Sequence, residues 1–124
     1  ATLMRSSAAS DVYKRQITVT LEAEGPVINP AVYHAESGEF IKIGNEVRSF
    51  SINAGDVVII TTETNNKAVY LVRDGVKQEI NEYLDEDSDF IQLQHGTNTI
   101  RYTADAGEDY LNVTVSYRFR YLGV

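Results

Sequence analysis

The sequence predicts an all-β fold, a two-sheet antiparallel β-sandwich of jelly-roll type. Three observations support this prediction. Apolar and polar residues alternate along several short segments, as they do in strands with one buried face. Turn-forming residues recur about every 8–12 positions, a spacing typical of sandwiches. The chain also holds eight tyrosines and four phenylalanines, which are residue types that favour strands.

The length, cysteine content and charge of the chain limit the kinds of protein it could be. With 124 residues it is expected to form one domain that buries a core without covalent staples. It has no cysteine, which excludes disulfides and thiolate metal sites. The net charge of -7 argues against a nucleic-acid partner, because phosphate binding needs clustered lysine and arginine. No apolar run approaches the roughly 20 residues that span a bilayer, so we expect no membrane partner.

The first sixteen residues differ in character from the rest. Residues 6–16, SSAASDVYKRQ, match in frame the translation of a common transposase-based sequencing adapter. Our hypothesis is that residues 1–16 are an artefactual or disordered segment of a metagenomic fragment. Residues 17–124 would then be the sandwich domain, and the native product would extend further upstream.

The first predicted strand is Ile17–Ala23, in which every second residue is apolar. Gly25-Pro26 ends this strand, because both residues disfavour continued pairing. Val27–Tyr33 is expected to remain extended. Within it, Pro30 is expected to hold the backbone of Asn29 in β or polyproline geometry.

Two turns separate the next short strands. Ser37-Gly38 precedes a strand predicted at Phe40–Ile43, and Gly44-Asn45 precedes one predicted at Arg48–Ile52. A further turn is predicted at Ala54–Asp56, because glycine and aspartate favour turn backbone geometry.

The middle of the chain carries the clearest hairpin. Val57–Thr61 is apolar along most of its length, which predicts a central strand. Asn65-Asn66 should connect it to a strand at Ala68–Arg73, and Asp74-Gly75 is the strongest hairpin turn in the chain. Ile80–Ser88 lacks alternation and is predicted to form a helical turn or an acidic loop.

The C-terminal third predicts strands that close the core. One strand ends at Leu93, a turn follows at Gly96–Asn98, and further strands cover Thr99–Ala104 and Leu111–Tyr121. One face of the last strand carries aromatic residues that are predicted to line the core: Tyr117, Phe119 and Tyr121. The other face carries two arginines, read either as solvated sheet surface or as an interface: Arg118 and Arg120.

No sequence motif for catalysis is present, so we expect no enzyme, catalytic residue, metal or cofactor. Asp85, Asp87 and Asp89 have the spacing of the first ligands of a calcium loop. Phe90 and Gly96, however, stand where an EF-hand needs glycine and glutamate. A solvated acidic loop is therefore predicted there, and calcium bound by carboxylates in another geometry is the alternative. A small hydrolase is a third alternative, and its only support is the abundance of carboxylates, two of which could act as a catalytic pair.

Histidines and tyrosines are the remaining candidates for a site. His34 and His95 have no neighbouring ligand pattern, and we expect both to be turn or surface residues. Four tyrosines are expected in or near turns, where an exposed ring could stack on a sugar: Tyr33, Tyr70, Tyr83 and Tyr110.

A series of short residue blocks stands in a fixed order along the chain, and most of the blocks consist of turn-forming residues. The blocks are Asn29-Pro30, Ser37-Gly38, Phe40–Ile43, Gly55-Asp56, Thr61-Thr62, Asp74-Gly75, Asp87–Phe90, Leu93, Gly96, Asn98, Ile100, Tyr117-Arg118 and Tyr121–Val124. In this order and spacing, residues 17–124 resemble the C-terminal domain of distal tail proteins of long-tailed bacteriophages (siphophages).

The resemblance implies a structural role without catalytic residues. Distal tail proteins lie in the virion, at the tail tip, between the tail tube and the baseplate or tail fibre. In that family an N-terminal domain forms a hexameric ring, and the C-terminal domain is a galectin-like sandwich. The resemblance therefore implies other tail proteins as partners and a homo-hexameric full-length protein. The alternative is a carbohydrate-binding module that recognises a host surface glycan, since the same sandwich serves both functions.

Overall fold

The computed structural model describes the backbone of residues 2–8, 12–63, 66–93 and 96–121, and the side chains of 17–62, 67–93 and 96–116. Within these ranges the chain is built almost wholly of antiparallel strands, which confirms the predicted sandwich. Two short 3₁₀ turns, Asn81–Tyr83 and Glu108–Tyr110, supplement them. The strands are β1 (Thr2–Ala8), β2 (Val12–Ala23), β3 (Val27–Ile28), β4 (Ala31–His34), β5 (Phe40–Lys42), β6 (Ser51–Ile52), β7 (Val57–Glu63), β8 (Asn66–Arg73), β9 (Val76–Glu79), β10 (Gln92–Leu93), β11 (Gly96–Thr103) and β12 (Leu111–Tyr121).

The strands form two main sheets and a small ribbon. The first sheet has the order β1-β11-β4-β5. The second runs β12-β2-β7-β8-β9, with β10 paired to the early part of β2. The ribbon is β3-β6. The hypothesis about the origin of residues 1–16 concerns the gene, and it stays a prediction.

The core lies between the inner faces of the sheets. Alternation in β2 is confirmed, because Ile17, Val19 and Leu21 are fully buried while Glu22 and Glu24 are exposed. Burying an aliphatic side chain of this size stabilises a fold by about 1.5–3 kcal/mol. The core also takes residues from most other strands, among them Val32, Ile41, Ile43, Ile52, Val58, Ile60, Val69, Leu71, Ile91, Leu93, Ile100 and Leu111.

The predicted central hairpin is confirmed. Strand β7 pairs with β2 on one side and with β8 on the other. The β8–β9 turn has positive φ at both Asp74 (+53°) and Gly75 (+77°), as a type I′ turn requires. Arg73 and Val76 are paired directly across it. Of the turn predicted at Asn65-Asn66, Asn65 lies outside the described residues and Asn66 begins β8, where it pairs with Glu63.

The turn predicted at Gly96–Asn98 is wrong, because these residues begin β11 and pair with β1. Asn98 is fully buried in this position. Its side-chain amide contacts the ring of His34 and donates to the carbonyl of Gly96. The polar side chain that suggested a turn is therefore satisfied inside the sheet.

The extended geometry predicted for Asn29 is also wrong, because its φ is +49°. Its N–H donates to the Phe50 carbonyl (2.8 Å), and its side-chain oxygen accepts from the Phe50 N–H (2.9 Å). These bonds hold a left-handed residue between β3 and β4, a geometry that asparagine tolerates better than most residues. The strand predicted at Arg48–Ile52 is correspondingly short, since only Ser51–Ile52 pairs with β3.

The acidic segment after β9 covers the outer edge of β5. It begins with the 3₁₀ turn Asn81–Tyr83 and continues as a loop. The two alternatives predicted for Ile80–Ser88, a helical turn and an acidic loop, therefore each describe part of the segment. Asp85 N–H donates to the Lys42 carbonyl and Asp89 N–H to the Phe40 carbonyl, both at 2.8 Å. This edge of the first sheet is therefore closed to other strands.

Strand β12 has the predicted bounds and lies along β2 in antiparallel register. Leu111 is buried, and Val113 and Val115 pack against the core, while Thr114 and Ser116 are exposed. The side chains of the three aromatic residues predicted to follow this inner face lie outside the described residues: Tyr117, Phe119 and Tyr121.

Candidate docking surfaces

Acidic and histidine side chains form no metal cluster in the described part of the chain. Asp85 instead builds its own loop, since one oxygen accepts from the Asp87 N–H (2.9 Å) and the other from the Asn45 amide (3.1 Å). These bonds lower the pKa of Asp85, the Asp87 backbone contributing most. Such a carboxylate organises a turn.

His34 is fully buried, so the expectation of a surface histidine is wrong for this residue; His95 lies outside the described residues. Nδ1 accepts from the Ser37 N–H (3.1 Å) and Nε2 lies 2.8 Å from Asn98 Oδ1. Nearby, both oxygens of Glu36 accept from Thr99, which lowers the pKa of Glu36. The ring therefore joins β4 to β11 as a structural residue.

Asn29 links three segments distant in sequence. Besides its bonds to Phe50, its amide donates to Asp105 (2.8 Å), whose other oxygen lies 3.4 Å from Lys42 Nζ. The Asn29 bond and then Lys42 lower the pKa of Asp105. Gly44 fits against this group so closely that a methyl group would meet the Asn29 side-chain oxygen and Phe50. We call Asn29, Gly44, Phe50 and Asp105 the Asn29 cluster.

Beside this cluster lies an exposed apolar surface, which we call the Tyr110 face: Pro26, Ile28, Ala106 and Tyr110. Ile28 is 38% exposed and Tyr110 is 48% exposed. The segment before β4 and the loop before β12 meet here through backbone bonds. Ile28 N–H donates to the Ala106 carbonyl (2.9 Å), and Glu24 N–H donates to the Tyr110 carbonyl (2.8 Å).

Two glycines bring the segments of the Tyr110 face together. A methyl group at Gly25 would lie 2.8 Å from the Tyr110 ring, so the ring rests on the Gly25 backbone. A methyl group at Gly107 would meet the Pro26 carbonyl oxygen, and Gly107 has a φ of +78°. These contacts fix the Tyr110 ring while leaving about half of it exposed.

Four acidic residues adjoin the Tyr110 face, in sequence or through backbone hydrogen bonds: Glu24, Asp105, Glu108 and Asp109. Asp109 is exposed and Glu108 half-buried, and neither forms an ion pair among the described side chains. Exposed Glu24 accepts a hydrogen bond from Asn112 (2.8 Å), which leaves its charge uncompensated. Of these carboxylates, Asp105 alone meets a cation, Lys42.

Tyr83 belongs to a different surface, beside a cleft of about 230 Å³. Its ring contacts Phe50 (centroids 5.2 Å apart), and the Arg48 guanidinium lies 5.4 Å from its centroid. The ring is thus engaged by two protein side chains. The cleft is lined by Ser49, Phe50, Ser51, Leu71, Arg73, Gln78, Ile80 and Tyr83.

The remaining two tyrosines lie within strands. Tyr33 is half-buried in β4 of the first sheet, and Tyr70 is half-buried in β8 of the second. Tyr33 lies two residues before the turn at residues 35–37, whereas Tyr70 lies inside its strand. Lys77 Nζ lies 4.3 Å from the centroid of the Tyr70 ring, a cation–π contact. The four tyrosines thus belong to separate surroundings, and the glycan-binding alternative stays a prediction.

Arg118 and Arg120 lie in β12, with backbones paired to Gln16 and Lys14 of β2. Their side chains lie outside the described residues, so their proposed interface role stays a prediction.

An ion pair at the edge of the cleft allows a test of pH-dependent stability. Asp56, only 7% exposed, accepts from Arg73 Nη2 (2.8 Å) and from the Asn53 N–H (2.9 Å). The Arg73 bond holds the pKa of Asp56 below its ordinary value of 3.8. The pair therefore stabilises the fold above that pH and loses its effect as pH falls through the lowered pKa.

We expect Asp56→Asn to lower the free energy of unfolding by about 1–2 kcal/mol at pH 7. The loss should lie toward about 1 kcal/mol, because solvent screens the charge of the half-exposed Arg73. Urea unfolding at pH 7 and at pH 3 measures the difference, which should shrink at pH 3. Glu79→Gln, on exposed β9, is the control and should change stability by less than about 0.5 kcal/mol. An equal loss at both pH values would contradict the charge-pair explanation.

Comparison with known proteins agrees with the sequence resemblance. A family model described as siphovirus-type tail component, C-terminal domain, matches residues 12–121. No match is found among curated proteins or among solved structures. Among the residues of the Tyr110 face, sequence reasoning singled out Tyr110 alone. Pro26, Ile28 and Ala106 gave no sign of a binding surface, because no local pattern links residues 26–28 to residues 105–110.

Proposed function

The chain belongs to the family of siphovirus-type tail components, C-terminal domain, and from this membership we propose that it docks the distal end of the tail tube to the baseplate or tail fibre. As a tail component, the protein is part of the virion tail. Its work in this proposal is protein–protein contact rather than chemistry.

The observation that carries the proposal is the family match over residues 12–121. The arrangement of the polar residues supports it. His34, Asp56 and Asp85 are each engaged in hydrogen bonds that build turns or join strands. Their surroundings are those of structural residues, as a scaffold protein requires.

Immunogold electron microscopy of tails from the encoding phage tests the proposal. Antibody against this chain should label one end of each tail, the end away from the capsid. Antibody against the tube protein serves as the control and should label the whole length. Label along the entire tube, at the capsid end or on no tails would overturn the tail-tip assignment.

A further inference from the structure

We propose that the Tyr110 face is a docking surface for a neighbouring tail protein that presents an apolar pocket ringed by lysine or arginine. This inference rests on the proposed function and adds to it the surface used and the chemistry of the partner. Three properties of the face carry it: a fixed aromatic side chain, adjoining apolar residues and negative charge along its border.

The first property is rigidity. Tyr110 rests on Gly25, its own carbonyl accepts from the Glu24 N–H, and the Ala106 carbonyl before it accepts from the Ile28 N–H. A side chain that is already fixed loses little conformational freedom when it binds. A partly exposed tyrosine held in this way is suited to anchor a protein interface, where tyrosine is among the most enriched residue types.

The second property is the continuity of the apolar surface. Ile28 and Ala106 are bridged across the two segments, and Gly107 packs against Pro26. The other two exposed large apolar residues in the described part of the chain lie in separate segments, Val47 (96% exposed) in a loop and Val76 (66% exposed) at the start of β9. A contiguous patch with a polar rim is more informative than such single residues.

The third property is the charge of the rim, which identifies the partner. Glu24, Glu108 and Asp109 lack an ion pair among the described side chains, and Asp105 is paired with Lys42. Carboxylates arranged in this way attract a positively charged surface and disfavour an acidic one. An apolar centre within an acidic rim is complementary to an apolar pocket within a basic rim. Another copy of this acidic chain supplies that charge less well.

Binding measurements with purified tail components test the inference. The full chain is immobilised, and the tube, baseplate and fibre proteins of the same phage are tested for binding by biolayer interferometry. For the component that binds, we expect Tyr110→Ala to weaken binding at least 10-fold and Tyr110→Phe to retain most of it. The double variant Glu108→Lys, Asp109→Lys should weaken binding at least 10-fold at low salt and less at 0.5 M salt.

Matched controls lie outside the face. Val47→Ala removes apolar surface and Glu46→Lys reverses a charge on an exposed loop, and both should leave affinity within 2-fold. The charge variants alter exposed or half-exposed positions only, so they test the face even if Tyr110→Ala fails to fold. If the wild type binds a component and the face variants match it, the inference is overturned while the proposed function stands. If no tail component binds the wild type, the docking function itself fails, and the inference falls with it.

Discussion

Gly44→Ala is expected to destabilise the fold by at least about 3 kcal/mol, or to prevent folding. Gly44 has a φ of +89°, which strains any residue with a Cβ. The new methyl group would also lie 2.7 Å from the backbone nitrogen of Phe50 and closer still to the Asn29 side-chain oxygen. Neither neighbour can yield without breaking the bonds between Asn29 and Phe50. Urea unfolding followed by tyrosine fluorescence measures the loss.

Gly55→Ala is the matched control for this prediction. Gly55 has nearly the same φ, +92°, but a methyl group there would meet nothing within 4 Å. It should therefore show only the backbone strain, about 1–2 kcal/mol. The difference between the two variants measures the crowding at the Asn29 cluster. Equal losses would show that φ alone explains the need for glycine at position 44.

Ile60→Ala is expected to lower the free energy of unfolding by about 3–4 kcal/mol. Ile60 lies in the central strand β7 and is fully buried, with Val19 and Val69 paired beside it, both also fully buried. Neighbouring strands on both sides limit relaxation, so the removed methyl groups should leave a cavity. Chemical denaturation gives the free energy of unfolding for comparison with the wild type.

The adjacent isoleucine is the control, because it has the same chemistry on the opposite face. Ile59 is only half-buried and pairs with Thr20 and Tyr70. Ile59→Ala should therefore lose less than half as much stability as Ile60→Ala, since solvent already reaches this side chain. A larger loss at Ile59 would place the core on the wrong face of β7.

Local pattern was sufficient to predict much of the fold. Alternation identified the buried face of β2, and Asp74-Gly75 identified the β8–β9 turn, because both depend on residues close in sequence. Prediction failed where a distant partner decides the conformation. Pro30 predicted an extended Asn29, yet bonds to Phe50 hold Asn29 in the left-handed region. Gly96–Asn98 predicted a turn, yet Asn98 lies in β11, where its side chain contacts His34.

The candidate site was less predictable for the same reason. Tyr110 was one of four tyrosines that local sequence could not rank. Its distinction comes from a segment about 80 residues earlier, where Gly25 supports its ring and Ile28 bonds Ala106 in the same loop. The acidic composition of the chain was evident from the sequence. The position of Glu24, Asp105, Glu108 and Asp109 beside an apolar surface was not, because it depends on how distant segments pair.

The pairing of β12 with β2 has a consequence for how the protein is made. Leu111 pairs with Ala23, so residues from opposite ends of the described chain must meet before the second sheet is complete. Such long-range pairing is slow compared with local hairpins. During synthesis, β2 therefore waits with one edge unpaired until β12 leaves the ribosome. A message truncated before the codon for Leu111 would yield a chain with that edge unpaired, prone to pair with other chains rather than to enter a tail.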